Sequence, residues 1–363
     1  MFPKKMHKLH NCSLTAKNRG DKSPSVVDIR TVPGPFIFSM CKGIANTAMN
    51  AKIQEQIIRL KEENNAVILA HNYQLPEVQD IADFTGDSLE LAREGARVPQ
   101  QLVVFCGVHF MAETCAIFSP DKTVLLPDET SGCPMADMAT GESLAALKAQ
   151  HPGAVVVCYV NSTAEVKAQS DVCCTSANAV DIIRRIEPGR PIIFVPDKYL
   201  GGYVSQLTGR EMIYWEGACP IHATLRPAHV EAARAAHPGA PIFVHPESPL
   251  TVSALADEVL STGQMCTRAR QSDASTIVIG TELGLLHRLR KENPDKTFVP
   301  LSDDLVCPNM KRNTLPKVLH ALTTLTPVIR VEEALARQAA HAIQTMFADG
   351  VIRPRNADAQ PAQ

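Results

Sequence analysis

The 363-residue sequence lacks the features of membrane proteins and exported proteins. No apolar run approaches the roughly 20 residues that a helix needs to cross a bilayer. The first residues, MFPKKMHKLHNC, do not contain the continuous apolar segment of a secretory signal. We therefore expect a cytoplasmic protein with no membrane partner.

The sequence also lacks an excess of positive charge and the common nucleotide motifs. The formal net charge is -2, and the Lys and Arg residues are interspersed with Asp and Glu. Such a surface offers no basic stripe for nucleic acid. There is no glycine-rich phosphate loop, no G-x-G-x-x-G fingerprint and no H-E-x-x-H pair. These absences argue against nucleic-acid binding, nucleotide-driven chemistry and zinc proteolysis.

What the sequence does contain is a threefold repeat. Apolar runs at residues 66–70, 154–158 and 241–244, each preceded by a predicted helix, indicate buried parallel strands. They end at His71, Tyr159 and His245, which lie 88 and then 86 residues apart. Second strands are predicted at residues 102–105, 191–195 and 276–279, and third strands at residues 123–126, 212–215 and 297–301. A period of this length is typical of a small layered α/β unit rather than of a solenoid.

The repeat divides the chain into predicted segments. They are a leader at residues 1–49, α/β repeats at 50–140, 141–226 and 227–314, closing C-terminal helices at 315–350, and a tail at 351–363. Disorder and a misplaced start are both open as explanations of the leader. A helix at residues 315–322 is expected to stand where the leading helix of a fourth unit would begin.

Three of the eleven cysteines follow the same period. Cys133, Cys219 and Cys307 lie 86 and 88 residues apart, each after a predicted third strand, and each is followed by proline, as none of the other eight cysteines is. Three thiolates make a soft site that suits an iron-sulfur cluster or zinc. A 4Fe-4S cluster held by three thiolates keeps one iron open to act as a Lewis acid. Zinc stays open as the alternative, although zinc sites with three protein ligands usually include histidine.

The remaining cysteines are assigned no chemistry. Those expected to fill the core are Cys106, Cys115, Cys158, Cys173, Cys174 and Cys266, whereas Cys12 and Cys41 belong to the leader.

Candidate acids, bases and hydrogen-bonding groups stand in pairs where the first strands end. The pairs are His71 with Tyr73, Tyr159 with Asn161, and His245 with Glu247. Alternate residues of a strand face the same side, so each pair points one way. Glu247 is the only carboxylate among them and is the best candidate for a general base. A purely structural role is the alternative for each histidine.

Hydroxyl residues recur seventeen positions after each strand end, at Ser88, Ser176 and Thr262. Each is predicted to open a helix, where free N–H groups and a hydroxyl favour a carboxylate or phosphate; simple helix capping is the alternative. Asp83, Asp171 and Asp257 recur as well, and are predicted to lie within the preceding helix in a structural role. His222 is a weaker site candidate, and Lys198 is interpreted as an ion-pair residue rather than a Schiff-base lysine.

Together these motifs resemble those of the quinolinate synthase family, the A protein of bacterial NAD biosynthesis, over about residues 53–347. The segments that carry the resemblance are Ala70-His71-Asn72-Tyr73-Gln74, Gly86-Asp87-Ser88, Tyr159-Val160-Asn161-Ser162, Thr175-Ser176-Ala177-Asn178, His245-Pro246-Glu247, Ser261-Thr262-Gly263 and Cys307-Pro308-Asn309-Met310-Lys311. The resemblance implies an α/β fold of three homologous three-layer αβα domains around a pseudo-threefold axis, with the active site at the centre. It also implies one 4Fe-4S cluster per chain, bound by Cys133, Cys219 and Cys307.

The same resemblance implies a reaction, in which iminoaspartate condenses with dihydroxyacetone phosphate to form quinolinate with loss of phosphate and water. Carried over by motif, the substrate contacts are His71, Ser88, Tyr159, Asn161, Ser176, His245, Glu247 and Thr262, and the catalytic residues are Tyr73, Glu247 and His245. Transient contact with L-aspartate oxidase, which makes iminoaspartate, is a further expectation. Another hydro-lyase with a three-cysteine cluster, or a non-enzymatic iron-sulfur sensor, are the competing interpretations.

Overall fold

The computed structural model describes residues 34–355, and their side chains from residue 49 onward. Cys12, the side chain of Cys41, most of the predicted leader and the end of the tail lie outside this part. The contacts divide the chain into two compact parts, Met1–Lys52 and Ile53–Gln363. The first is represented by the beginning of helix α1 (Gly34–Glu63), and the second contains all the sheets.

The second part, Ile53–Gln363, contains three four-stranded parallel sheets, one in each α/β unit. Their strands are β1 (Ala66–His71), β2 (Phe84–Gly86), β3 (Leu102–Cys106), β4 (Thr123–Leu125), β5 (Val155–Tyr159), β6 (Val172–Cys174), β7 (Ile192–Val195), β8 (Ile213–Tyr214), β9 (Ile242–Val244), β10 (Glu258–Val259), β11 (Thr276–Gly280) and β12 (Thr297–Pro300). The orders are β2-β1-β3-β4, β6-β5-β7-β8 and β10-β9-β11-β12, the same arrangement three times. The α/β fold of three repeated αβα units is confirmed, whereas the exact residue boundaries between repeats stay a prediction.

Helices flank the sheets. They are α1, α2 (Pro76–Ile81), α3 (Ser88–Arg97), α4 (His109–Phe118), α5 (Gly141–Gln150), α6 (Ala164–Ala168), α7 (Ala179–Arg185), α8 (Lys198–Thr208), α9 (Pro227–Ala236), α10 (Leu250–Ser253), α11 (Thr262–Gln271), α12 (Leu285–Glu292), α13 (Leu315–Thr324) and α14 (Glu333–Phe347). Within the described residues, none of these helices combines the length and apolarity needed to cross a membrane.

The inner strands are apolar because helices cover both faces of each sheet. All six residues of β1, AVILAH, are buried, and so are all five of β5, VVVCY. The largest apolar cluster draws on all three sheets, with Phe105, Phe194 and Phe243 among its members. The three sheets therefore share one core, which fixes the ends of their strands relative to one another.

A hydrogen bond that recurs in each unit explains the periodic aspartates. The carboxylate of Asp83 accepts from the backbone N–H of Ile68 at 2.8 Å. The equivalent pairs are Asp171 with Val156 at 2.7 Å and Asp257 with Ile242 at 2.8 Å. The predicted position inside a helix was wrong, because each aspartate lies just before the short strands β2, β6 and β10. Each instead ties the entry of that strand to the first strand of its sheet, the structural role that was expected.

The last two helices return the chain from the third sheet to the first two. Val318 and Leu322 of α13 are buried against the first sheet, beside Ile68. Burying each of these side chains stabilises the packing by about 1.5–3 kcal/mol. Helix α14 packs on α6 and α4, and Ile352 then forms a parallel bridge with Ile186. The predicted helix at residues 315–322 is thus present within α13.

Candidate active site

A cavity of about 290 Å³ lies where the three sheets meet. Every residue predicted to bind the cluster or the substrate, or to act in catalysis, lines it: His71, Tyr73, Ser88, Cys133, Tyr159, Asn161, Ser176, Cys219, His245, Glu247, Thr262 and Cys307. His71 and Tyr159 are the last residues of β1 and β5, and His245 follows β9. The cavity therefore occupies the carboxyl ends of the strands, where open α/β sheets bind ligands.

The three cysteine loops have the same local geometry. Each cysteine precedes a short 3-10 turn, at Ala136–Met138, His222–Thr224 and Met310–Arg312. The backbone N–H groups two and three residues after each cysteine hydrogen-bond its sulfur. The donors are Met135 and Ala136 for Cys133, Ile221 and His222 for Cys219, and Asn309 and Met310 for Cys307. These bonds favour the thiolate, the form that binds metal.

Burial works against those N–H donors. It raises the pKa of Cys133 to about 12, and it raises the pKa of Cys219 and Cys307 above the ordinary value of 9.0. All three are free cysteines. Without a cation they are protonated at neutral pH, whereas a bound cation deprotonates a coordinating thiol. Soft donors in a partly buried cavity thus fit a metal group.

Glu247 is held as a carboxylate at the centre of the cavity. It accepts hydrogen bonds from the Tyr159 hydroxyl at 2.6 Å and the Asn161 amide at 3.2 Å. His222 Nδ1 lies 2.8 Å from its other oxygen. Burial alone would raise the pKa of Glu247, but His245 and the bonds from His222 and Tyr159 outweigh it and lower the pKa to about 2. Glu247 is therefore ionised at neutral pH.

Two imidazoles and two phenols near Glu247 are neutral. Burial is the main cause that lowers the pKa of His71 and of His245 to about 3, so both imidazoles are uncharged at neutral pH. Burial also raises the pKa of Tyr73 and Tyr159 well above 10.0, and both phenols stay protonated. Glu247 thus faces uncharged rings, and the carboxyl groups of Asp87 and Glu282 line other parts of the same cavity.

The hydroxyl residues lie in the cavity, and α3 and α11 begin at Ser88 and Thr262, as the sequence predicts, but neither residue caps its helix. The cap of α3 is Asp87, whose carboxylate accepts from the N–H groups of Leu89 at 3.0 Å and Glu90 at 2.9 Å. The cap of α11 is Ser261. A carboxylate of the protein itself therefore occupies the start of α3, and the Ser88 and Thr262 side chains are spared from capping. Ser176 lies three residues before α7 rather than opening it.

Comparison with known proteins supports the family resemblance that the sequence motifs indicate. The family model for the quinolinate synthetase A protein matches residues 55–348. The chain belongs to this family.

Its relatives are similar over nearly their whole length. The chain is 53% identical to the quinolinate synthase of Dehalococcoides mccartyi strain CBDB1 over 295 residues, 81% of this chain and 97% of that protein. It is 54% identical to the quinolinate synthase of Methanoregula boonei over 298 residues, 82% of this chain and 98% of that protein. It is 50% identical to a quinolinate synthase of Thermus thermophilus over 302 residues, 82% of this chain and 97% of that protein.

Two buried carboxylates behind the cysteines were not found from the sequence. In this quinolinate synthase family member, Asp197 accepts from the Cys219 N–H at 3.3 Å, and Glu282 accepts from the Cys307 N–H at 3.0 Å. Both stand two residues after the second strand of their unit, where the first unit has Val108. That shared offset is the signal that could have identified them. Lys198 pairs with Glu216 at 3.1 Å, in agreement with the ion-pair interpretation.

Thr281 also escaped prediction. Its hydroxyl lies 2.6 Å from the Tyr73 hydroxyl and 2.8 Å from His222 Nε2. His222 Nδ1 in turn lies 3.2 Å from Cys219 Sγ. Among the residues with described side chains, Cys219, His222 and Glu247 form a group whose ligand atoms lie within 4.8 Å of one another. His222 therefore contacts three residues of the site, Cys219, Thr281 and Glu247, although the sequence indicates it only as a weaker candidate.

Proposed function

We propose that the chain is a quinolinate synthase that condenses iminoaspartate with dihydroxyacetone phosphate, releasing phosphate and water, with one 4Fe-4S cluster bound by Cys133, Cys219 and Cys307. The single observation that carries the proposal is that residues from three periodic repeats line one cavity. The family match and the similarity to curated quinolinate synthases support the activity.

The donor set of the cavity fits the cluster. Three free cysteines share one loop geometry, and each sulfur receives two backbone N–H bonds. Thiolates with such bonds are typical cluster ligands. When bound through three cysteines, the cluster supplies an iron with an open position, a Lewis acid for a substrate oxygen.

Neutral donors are suited to bind the anionic substrates. Two carboxylates and a phosphate need hydrogen-bond donors, which the hydroxyls of Ser88, Ser176 and Thr262 provide. The uncharged rings of His71 and His245 each offer one N–H as well. Because the Glu247 carboxylate can only accept, the Asn161 amide nitrogen faces it, and Asn161 Oδ1 is left buried without a partner among the described residues. We assign this oxygen to accept a hydrogen bond from the nitrogen of iminoaspartate.

Glu247 and Tyr73 are proposed to move protons. A carboxylate with a pKa near 2 is a weak base before substrate binds. A substrate carboxylate placed beside it would raise that pKa through charge repulsion. Tyr73, two residues after β1, keeps its proton and can donate it. The two groups thus supply a base and an acid within one cavity.

The test is anaerobic purification followed by iron and sulfide analysis and an assay for quinolinate. We expect about four irons and four sulfides per chain, and quinolinate from iminoaspartate plus dihydroxyacetone phosphate. One zinc without iron would overturn the cluster assignment, and an iron-loaded protein that makes no quinolinate would overturn the reaction. Contact with L-aspartate oxidase and a cytoplasmic location stay predictions.

A further inference from the structure

Asn72 lies directly behind the cavity wall, between His71 and Tyr73. It is fully buried, and its backbone N–H donates to the Gly86 carbonyl at 3.0 Å. Its amide makes two hydrogen bonds that cross to the third unit. Asn72 Nδ2 donates to Thr262 Oγ1 at 2.9 Å, and Asn72 Oδ1 accepts from the Arg288 guanidinium at 2.9 Å. The amide therefore connects a cation on α12 to a hydroxyl of the cavity wall.

Arg288 determines which way the amide points. A guanidinium has donors only, so the atom of Asn72 that faces it must be the oxygen. The nitrogen, with its two hydrogens, is then the atom that faces Thr262. Arg288 is itself fixed, because it pairs with Glu292 at 2.7 Å and lies 3.7 Å from Glu90. The guanidinium of Arg288, which can only donate, therefore sets the direction of both hydrogen bonds of the Asn72 amide.

The consequence falls on the hydroxyl hydrogen of Thr262. Its oxygen already accepts from Asn72, and within residues 49–355 the structure records no protein acceptor for the hydrogen. Thr262 lines the cavity, so the hydrogen is available there. We propose that Asn72 is a positioning residue that makes the Thr262 hydroxyl a donor to an anionic substrate oxygen, a carboxylate or a phosphate, and that Arg288 holds Asn72 in this orientation. The inference rests on the proposed function, which requires an anionic substrate.

The decisive change is Asn72→Asp, which keeps the shape and the bond from Arg288 but removes the donor. The Thr262 hydroxyl then donates to the new carboxylate and turns its lone pairs toward the cavity. Losing a hydrogen bond to a charged group weakens binding by about 10- to 100-fold. We expect the Kd of quinolinate and the KM of the substrates to rise by this factor, and kcat to change less.

A second variant separates positioning from the added negative charge. Thr262→Val removes the hydroxyl, and the double variant Asn72→Asp/Thr262→Val keeps the new charge without it. If Asn72 acts through Thr262, the double variant binds quinolinate about as weakly as Thr262→Val alone, since the effects do not multiply. Arg288→Met should raise the Kd as well. The matched control is Arg270→Met, since Arg270 pairs with the same Glu292 at 2.9 Å but does not contact Asn72.

Calorimetry on the anaerobic, cluster-loaded protein measures these affinities, with inorganic phosphate and quinolinate as separate probes. In the first case the wild type makes quinolinate. If the effects of Asn72→Asp and Thr262→Val on the Kd are then independent, or if Asn72→Asp leaves the Kd unchanged, the Asn72 proposal is wrong and the function stands. If the wild type makes no quinolinate but the two variants are coupled in phosphate binding, the function is wrong and the Asn72 proposal stands. Binding of neither anion would overturn the Asn72 proposal too.

Discussion

At the scale of single residues, Glu247 shows how position and environment combine. Its periodic counterparts are Tyr73 and Asn161, so its carboxylate is the only one among the strand-end pairs. Tyr159 and Asn161 come from the neighbouring unit and bond to it directly. The sequence placed these residues in one site, but it could not supply the sign of the pKa shift, which depends on contacts between residues about 90 positions apart.

Changing Glu247 to glutamine tests its role as a base. Glutamine keeps the shape and removes the proton acceptor, so we expect turnover to fall by about 100-fold or more. Iron content should stay at the wild-type level. Steady-state quinolinate formation measures the change, with Glu216→Gln on an exposed ion pair as the control. Near-normal turnover with an intact cluster would move the base to Tyr73 or His71.

The cluster ligands are tested by single substitutions to alanine. Cys133→Ala, Cys219→Ala and Cys307→Ala should each abolish the cluster, because two thiolates do not retain it. Cys174→Ala should retain it, since Cys174 is fully buried in β6 and does not line the cavity. Iron and sulfide analysis of anaerobic protein decides the outcome. A normal cluster in any of the first three variants would contradict the assignment.

At the scale of elements, nine of the twelve strands were predictable, and β2, β6 and β10 were not. All nine predicted strands are present, and their ends differ by at most one residue from the prediction. Strands β2, β6 and β10 have two or three residues and begin directly after the periodic aspartates, which the sequence pattern assigned to the preceding helix. Helices α3 and α11 begin at Ser88 and Thr262, as predicted, but the capping side chains are those of Asp87 and Ser261, one residue earlier and equally good caps. Local sequence could not choose between neighbours.

The aspartates before the short strands give an element-scale prediction. Asp171→Ala leaves the N–H groups of Val156 and Arg355 without their acceptor. A buried donor left unsatisfied costs about 1–3 kcal/mol, so the free energy of unfolding should fall by at least that amount. Urea titration of the metal-free protein measures the change. Asp273→Ala, at an exposed position, should leave stability unchanged, and equal losses in both variants would refute the argument.

The carboxylates behind the cysteine loops give a second prediction at the scale of elements. Glu282 accepts from the N–H groups of Cys307 and Gly284 and pairs with Lys311, so Glu282→Gln weakens this hold. Groups that position metal ligands typically change metal affinity by about 10–100-fold. We expect the variant to lose its cluster about 10-fold faster in air, followed by visible absorbance. Glu258→Gln, on an exposed ion pair, is the control, and equal rates would contradict the role.

At the scale of the whole molecule, buried histidines link folding to pH. His71 and His245 have pKa values near 3 in the folded protein, against 6.5 ordinarily, so the unfolded chain binds more protons between these limits. Stability is therefore complete above pH 6.5 and falls as the pH drops toward 3, by up to about 1.4 kcal/mol per pH unit for each histidine. The contribution of Glu247, whose pKa is lowered, is present above pH 4.5 and lost toward pH 2.

The measurement is the free energy of unfolding of metal-free protein between pH 7 and 5. His71→Asn removes one titrating group, so its slope against pH should be shallower than that of the wild type. His320→Asn, at an exposed position, should keep the wild-type slope. A wild-type slope in His71→Asn would show that burial of this ring does not govern the response.

The return of α13 to the first sheet has a consequence for how the protein is made. The apolar face that contains Ile68 is complete only when Val318 packs on it, and roughly 250 residues of chain separate the two. A ribosome adds about 5–20 residues per second, so this face stays uncovered for roughly 10 to 50 seconds during each round of synthesis. Over that interval the nascent chain exposes a ready binding surface for a cellular chaperone, and the first unit completes its fold only after the third has been translated.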